Sequence, residues 1–390
     1  MSCPASAGRP RSGLSRRQAL AGFGIALIGG VSAPAASARA AVAPARHPRA
    51  GLAAGLTNLQ LAGQRVIGSY PGLTPPASLV TDISNGQVAG VIFFGENISS
   101  ETQIAGVITQ LRQAQAQSPV EVPLLLMTDQ EGGLVRRLPG QPVLSEKQIG
   151  QSSDPVAAAA AAGTGAGQNL AGVGMNVNLA PVLDVYYKTG NFIDQYQRSY
   201  SNNPAVASEC GQAFITAQQQ TGVAATAKHF PGLGSATKNQ NTDSGPVTLT
   251  VSLTKLHTID EVPYPAAVGA GVKLVMVSWA VYPHLGSSRP AGLSSAIVQG
   301  QLRSGLHFKG VTITDAIGAG ALAAYGSTQN RALLAAEAGM ELILAAGETP
   351  TEGEQTLDGL ETGYGDGKLA KSTFQAAVAQ ILALRKSLPD

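Results

Sequence analysis

Lys273-Leu274-Val275-Met276-Val277-Ser278 and Val311-Thr312-Ile313-Thr314-Asp315 are short, β-rich apolar runs, and the helix-like stretch Ser294–Leu306 lies between them. A strand, a helix and a second strand in that order is the unit from which parallel sheets are built, because parallel neighbours need a crossover long enough to hold a helix. Outward from this unit the same alternation recurs. Further runs are Arg65–Tyr70, Gly90–Phe94, Pro123–Asp129, Met175–Ala180, Ala224–His229 and Glu341–Ala345, which brings the total to eight. Helix-like segments fall at Glu101–Gln117, Pro155–Ala171, Asn203–Thr221 and Asn330–Ala338, and Lys371–Lys386 closes the chain. Several runs are apolar without alternation, as expected of strands that meet a barrel interior on one face and helices on the other. Eight units predict an α/β fold, a (β/α)8 TIM-type barrel, as a single domain over residues 54–390. A doubly wound open sheet is the alternative; the count of eight and the lack of any composition shift favour the barrel.

With 44% hydrophobic and 13% charged residues, the 390-residue chain is too apolar and too weakly charged to stay disordered. Of its 26 Lys and Arg, five (Arg9, Arg11, Arg16, Arg17 and Arg39) lie in residues 1–40, which leaves 21 against 24 Asp and Glu. No basic patch survives that subtraction, so a nucleic-acid binder is excluded.

Ser15-Arg16-Arg17-Gln18 precedes a 13-residue apolar run, Ala19–Val31, and then small residues ending at Ala38-Arg39-Ala40. Such a run is too short to cross a bilayer and reads as an export signal of the twin-arginine type over residues 1–40, with a mobile arm over 41–53. The expected product is soluble, carries no stable membrane anchor, and is extracellular or cell-wall associated. Cys3 falls in the signal and Cys210 stands alone, so no internal disulfide is expected and a large core must hold the fold.

In a barrel of this kind chemistry sits at the C-terminal ends of the strands. Four runs present polar residues there. The third leads into Thr128-Asp129-Gln130-Glu131-Gly132-Gly133, followed by Arg136 and Arg137; the fourth leads to Asp184 and then to Arg198. The fifth ends in Lys228-His229 before a Gly, Asn and Ser loop containing Asp243, and the seventh ends in Asp315. Each has a plainer reading: Asp315 as a helix cap, the acids near Gly132-Gly133 as solvated, Arg198 as a surface charge, Lys228-His229 as a satisfied structural pair. Their convergence on one rim favours a site.

Taken in order, Gly90-Val91-Ile92-Phe93-Phe94, Asp129-Gln130-Glu131-Gly132-Gly133, Leu179-Ala180-Pro181-Val182-Leu183-Asp184-Val185, Lys228-His229-Phe230-Pro231-Gly232 and Gly310-Val311-Thr312-Ile313-Thr314-Asp315 resemble glycoside hydrolase family 3. The similarity is to its single-barrel bacterial β-N-acetylhexosaminidase branch. The resemblance implies that Asp315 is the catalytic nucleophile of a retaining glycosidase, that Asp129, Arg198, Lys228 and His229 bind sugar hydroxyls, and that Asp184 supports the pocket. It implies as substrate a terminal β-linked sugar, with N-acetylglucosamine the suggested residue and a small glycan or cell-wall muropeptide the source.

Two departures bear on the acid/base. The family's loop after the fifth strand usually reads Pro-Gly-His-Gly and later Asp-Ser-His, its Asp–His pair serving as general acid/base. Here the residues are Pro231-Gly232-Leu233-Gly234 and Asp243-Ser244-Gly245, and Leu134 stands where arginine is common. Asp243 is the first substitute, on a loop whose Gly and Asn content would let it swing in, and His284 is the second. The competing expectation is a catalytically silent glycan-binding barrel.

Gly318-Ala319-Gly320 fits a degenerate dinucleotide fingerprint, but Asp315 would sit badly beside a pyrophosphate. No Gly-x-Ser-x-Gly elbow, Walker loop or His-Glu-x-x-His helix is present, so neither cofactor nor metal is implied. At 5% aromatic residues the chain is poorly supplied for a long polysaccharide groove, which favours a small pocket; the single tryptophan, Trp279, either lines it or packs beneath the rim.

Overall fold

The computed structural model describes residues 53–390, so the expected signal and nearly all of the expected arm lie outside the described residues. Eight parallel strands close into a barrel: β1 (Val66–Gly68), β2 (Gly90–Ile92), β3 (Leu125–Thr128), β4 (Val177–Asn178), β5 (Ala224–Phe230), β6 (Leu274–Val277), β7 (Val311–Ala316) and β8 (Leu342–Leu344). They follow one another in chain order, and β1 closes the ring on β8 through Val66 opposite Ile343 and Ile67 opposite Leu344. A small antiparallel hairpin, Gln130–Gly132 with Val135–Arg136, rises from the end of β3.

The pleat sorts the strand side chains. Ile67, Ile92, Leu125, Met127, Val177, Leu274, Met276, Val311, Ile313, Leu342 and Leu344 belong to one cluster, joined by Ile381 and Leu384 of the last helix. Their neighbours in sequence, such as Val66, Val275 and Val277, belong to a second cluster that includes helix residues. Apolar side chains on both faces are why these strands show little polar alternation.

The helices start and stop where local chemistry dictates. In Pro155–Val173, the Asp154 side chain accepts from Ala157 N–H, Pro155 takes the first turn, and Gly174 ends the helix at φ 92°. The last helix spans Lys371–Lys386, as the sequence predicts. The stretch expected as an α-helix over Ser294–Leu306 instead forms a wider π-type helix over Ala296–Gly305, in which Leu306 N–H donates to Gln301 O.

Two irregularities position the site. Between Ala227 and Phe230 of β5 the partner strand β6 advances from Val275 to Val277, three residues against two. Likewise β7 advances from Ile313 to Ala316 while β8 advances from Leu342 to Leu344. An extra residue in one strand re-aims the side chains around it, and the two strands bulge at Lys228-His229 and at Thr314-Asp315.

Candidate active site

Asp129, Arg198, Lys228, His229, Asp243 and Asp315 line one cavity of about 490 Å³. Inward-facing Ile92, Leu179, Met276 and Leu344 line its depth, so the cavity opens at the C-terminal ends of the strands. The bulges at β5 and β7 bring Lys228, His229 and Asp315 into it.

Charge pairing organises one wall. Lys228 Nζ lies 2.7 Å from Asp129 Oδ1 and 2.7 Å from Glu131 Oε1. Arg198 grips the same Glu131 through two hydrogen bonds of 2.8 Å, from Nε and Nη2. Burial alone would raise the Glu131 carboxyl, but Arg198 and Lys228 outweigh it and lower its pKa to about 2. Burial likewise opposes the Lys228 charge, and Asp129 and Glu131 reverse the balance, so the ammonium is held above its ordinary range. Glu131 is therefore a buried anchor, not a solvated acid beside a glycine turn, and sequence reasoning passed over it.

Asp184 is buried behind the cavity and does not line it. Its Oδ2 lies 2.7 Å from His229 Nδ1, and its Oδ1 accepts from Leu233 N–H at 2.7 Å. One carboxylate thus fixes the imidazole and the turn after β5. Gly232 in that turn has φ +145°, and a Cβ there would meet Asp260 Cβ at 2.8 Å, so a side chain at this position has neither room nor a comfortable backbone.

Asp315 follows the bulge in β7. Its Oδ1 accepts from Ala316 N–H at 2.8 Å, and the strand runs on to Ala316, so the residue caps no helix. Trp279 is fully buried and its Nε1–H donates to Ala316 O at 2.8 Å. Of the two readings open for Trp279, packing beneath the rim is the observed one: it braces the peptide next to Asp315.

Asp243 faces Asp315. Desolvation and then the Asp315 charge raise the Asp243 pKa, while His229 and Arg198 work in the opposite sense. The loop does not swing freely. Gly320 N–H donates to Asp243 O at 2.8 Å and Ala321 N–H to Thr242 O at 2.9 Å, which tie this loop to the one after β7. His284 is exposed, hydrogen-bonded through Nδ1 to Val251 O at 2.7 Å, and does not line the cavity; its candidacy as a substitute acid fails on position. Where the family histidine would stand, Gly245 leaves open space: a Cβ there meets nothing within 4 Å.

Arg137, which follows the third run, lines the cavity as the polar rim predicts, and Phe94, Phe192 and Glu352, which were not singled out, line it as well. Glu352 lies on the helix Pro350–Gly365, and its Oε2 accepts from Gly347 N–H at 2.6 Å. Among the described residues, no helix is long and apolar enough to cross a membrane.

Comparison with known proteins agrees with this geometry. Residues 59–384 match the glycosyl hydrolase family 3 N-terminal domain. The chain is 46% identical over 329 residues to an uncharacterized secreted glycosyl hydrolase of Arthroderma benhamiae, covering 84% of this chain and 93% of that one. It is 33% identical to a β-hexosaminidase of Xanthomonas axonopodis pv. citri, over 66% of this chain and 76% of the relative. Among solved structures, the glycoside hydrolase family 3 β-N-acetylglucosaminidase of Paenibacillus sp. FPU-7 superposes with a TM-score of 0.79 at 31% identity, over 85% of this chain and 62% of that one. The β-N-acetylhexosaminidase of Beutenbergia cavernae superposes with a TM-score of 0.76 at 29% identity, over 85% of this chain and 98% of that one. With a matching family model over most of its length and a closed eight-stranded barrel around a carboxylate-lined cavity, this chain belongs to glycosyl hydrolase family 3.

Proposed function

We propose that the protein is an exported retaining glycosidase that removes a terminal β-linked N-acetylglucosamine from a small glycan or cell-wall muropeptide. The observation that carries this reading is the presence of Asp315 and Asp243, close enough for one charge to act on the other, in one cavity that Asp129, Arg198, Lys228 and His229 also line. The export and the sugar rest on the sequence signal and on the β-hexosaminidases to which the chain is similar.

In the first step an Asp315 carboxylate oxygen attacks the anomeric carbon as the glycosidic C–O bond breaks, and Asp243 gives its proton to the departing oxygen. In the second, Asp243, now a carboxylate, takes a proton from water as that water displaces Asp315 from the sugar. A raised pKa suits Asp243 to this exchange, because a general acid must hold its proton near the working pH. His229 and the paired Lys228 and Arg198 offer donors to ring hydroxyls; their charges are already balanced by Asp129 and Glu131, which suits a neutral sugar.

The vacant position at Gly245 favours one second reading, a glycan-binding barrel without turnover. An aryl β-N-acetylglucosaminide assay separates the two. Wild-type turnover, abolished in Asp315→Ala, is the expected result, with Asp243→Ala impaired far more on a glycoside with a poor leaving group than on the aryl substrate; retained sugar binding without wild-type turnover would overturn the hydrolase reading.

A further inference from the structure

The end of β5 and the turn after it put Lys228, His229 and Leu233 into the cavity. Asp184 holds one side of that turn. A second buried acid, Asp260, backs the other side; it does not line the cavity and takes no part in the chemistry.

Asp260 ends a π-type helix, Leu256–Asp260, in which Glu261 N–H donates to Leu256 O at 2.9 Å. Such widened turns are rare and recur at functional sites. Asp260 and Glu261 are both buried, but their surroundings differ. Glu261 has the His257 imidazole 2.7 Å away, whereas Asp260 makes no ion pair among the described residues and its Oδ1 has no hydrogen-bond partner. Burial raises the Asp260 pKa to about 8 against the pull of the Tyr187 hydrogen bond, and the Asp184 and Glu261 charges add to the rise. At neutral pH it is an uncharged acid, whose shape asparagine reproduces.

Three consecutive residues of the turn are held in place. Asp260 backs Gly232 so closely that a Cβ there would lie 2.8 Å from Asp260 Cβ and 3.0 Å from its Oδ1, and the Tyr282 hydroxyl donates to Gly232 O at 2.8 Å. Leu233 N–H goes to Asp184, whose other oxygen holds His229. Gly234 O accepts from Tyr187 N–H at 2.9 Å. The Tyr187 hydroxyl then donates to Asp260 Oδ2 at 2.5 Å, with Lys255 Nζ 5.7 Å from the centre of its ring. This bond joins the segment after β4 to the π-type helix, with the turn between them.

We infer that Asp260 is a positioning residue, which through its bond to Tyr187 and its contact with Gly232 holds the turn after β5 so that His229 and Leu233 meet the sugar. This rests on the glycosidase reading for the ligand, and goes beyond it in naming a residue outside the cavity that sets affinity. Asp243 and Asp315 are anchored separately, because Gly320 and Ala321 tie the Asp243 loop to the segment after β7. Loss of Asp260 should therefore weaken binding and spare the chemical step.

The test is steady-state kinetics on an aryl β-N-acetylglucosaminide at slightly acid pH, where Asp260 keeps its proton. Asp260→Ala should raise KM about 10-fold with kcat within about threefold of wild type. Tyr187→Phe should raise KM in the same sense, and the double variant should be no worse than Asp260→Ala, because both changes cut one contact. Asp260→Asn, which still accepts from Tyr187, should stay within about twofold of wild type. A merely structural role would lower the folded fraction, and so the apparent kcat, with KM unchanged. That result, an asparagine variant as impaired as the alanine one, or a double variant at the product of the singles overturns the inference. Should Asp260→Ala fail to fold, Tyr187→Phe and Asp260→Asn decide on the same terms. Absence of wild-type turnover would remove the glycosidase reading alone; calorimetric affinity for N-acetylglucosamine in the same variants then replaces KM, and equal affinity across them, or none, overturns the positioning role.

Discussion

Glu131 holds Arg198 in a two-pronged grip, Nε to Oε2 and Nη2 to Oε1, both at 2.8 Å, and its Oε1 also lies 2.7 Å from Lys228 Nζ. One buried carboxylate thus sets the geometry of two cations that face the cavity. Replacing it with glutamine leaves Arg198 and Lys228 short of compensation in a water-poor wall. Glu131→Gln should lose about 3–5 kcal/mol of stability, the usual cost of removing one partner of a buried pair, read as a lower denaturant midpoint. Turnover should fall too, although Glu131 itself does not line the cavity.

The same carboxylate gives an acid limit. Its folded pKa of about 2 lies below its ordinary 4.5, so its contribution to stability is complete above about 4.5 and is lost as pH falls toward 2. Thermal melts across that window should show wild-type stability falling more steeply than that of Glu131→Gln.

A second buried acid acts in the opposite sense. Burial raises Asp260 from its ordinary 3.8 to about 8, although Tyr187 donates its hydroxyl proton to Asp260 Oδ2. The folded state then keeps a proton that the unfolded chain has lost, so stability should decline as pH rises from about 4 to about 8 and level off beyond. Asp260→Asn should flatten that decline in melts taken between these pH values.

Asp243 as proton donor carries a kinetic signature. Asp243→Asn should lower kcat/KM by about 10²–10⁴ on a glycoside with a poor leaving group and by much less on an activated aryl glycoside, which departs without a proton. The alkaline limb of the wild-type pH profile, where Asp243 loses its proton, should vanish in the variant.

Space at position 245 allows a complementary change. A Cβ there meets nothing within 4 Å, so Gly245→His should fold with a melting temperature close to wild type. It places an imidazole two residues from Asp243, and turnover of poor-leaving-group glycosides should rise; an unchanged rate would mean that Asp243 does not need it.

All eight strands were legible because each is a short apolar run bounded by turn residues, and Asp129, Arg198, Lys228, His229 and Asp315 were legible because they stand at or beyond strand ends. Glu131 was missed because a carboxylate beside Gly132-Gly133 looks like a turn residue in water, and its two cationic partners are 67 and 97 positions away in the chain, out of reach of local pattern. Glu352 was missed with its helix: Pro350–Gly365 contains four glycines, which argue against a helix. Tertiary packing overrides that propensity, since a side chain at Gly359 would collide with Gln329 O at 2.4 Å. The tethering of the Asp243 loop was hidden for a similar reason, because its partners Gly320 and Ala321 come from the far side of β7.

The most direct measurement is to trap the glycosyl-enzyme with a fluorinated N-acetylglucosamine-type substrate and map the labelled peptide. A covalent label on Asp315, absent from Asp315→Ala, is the expected result. A label on any other residue, or full turnover by Asp315→Ala, would contradict the account.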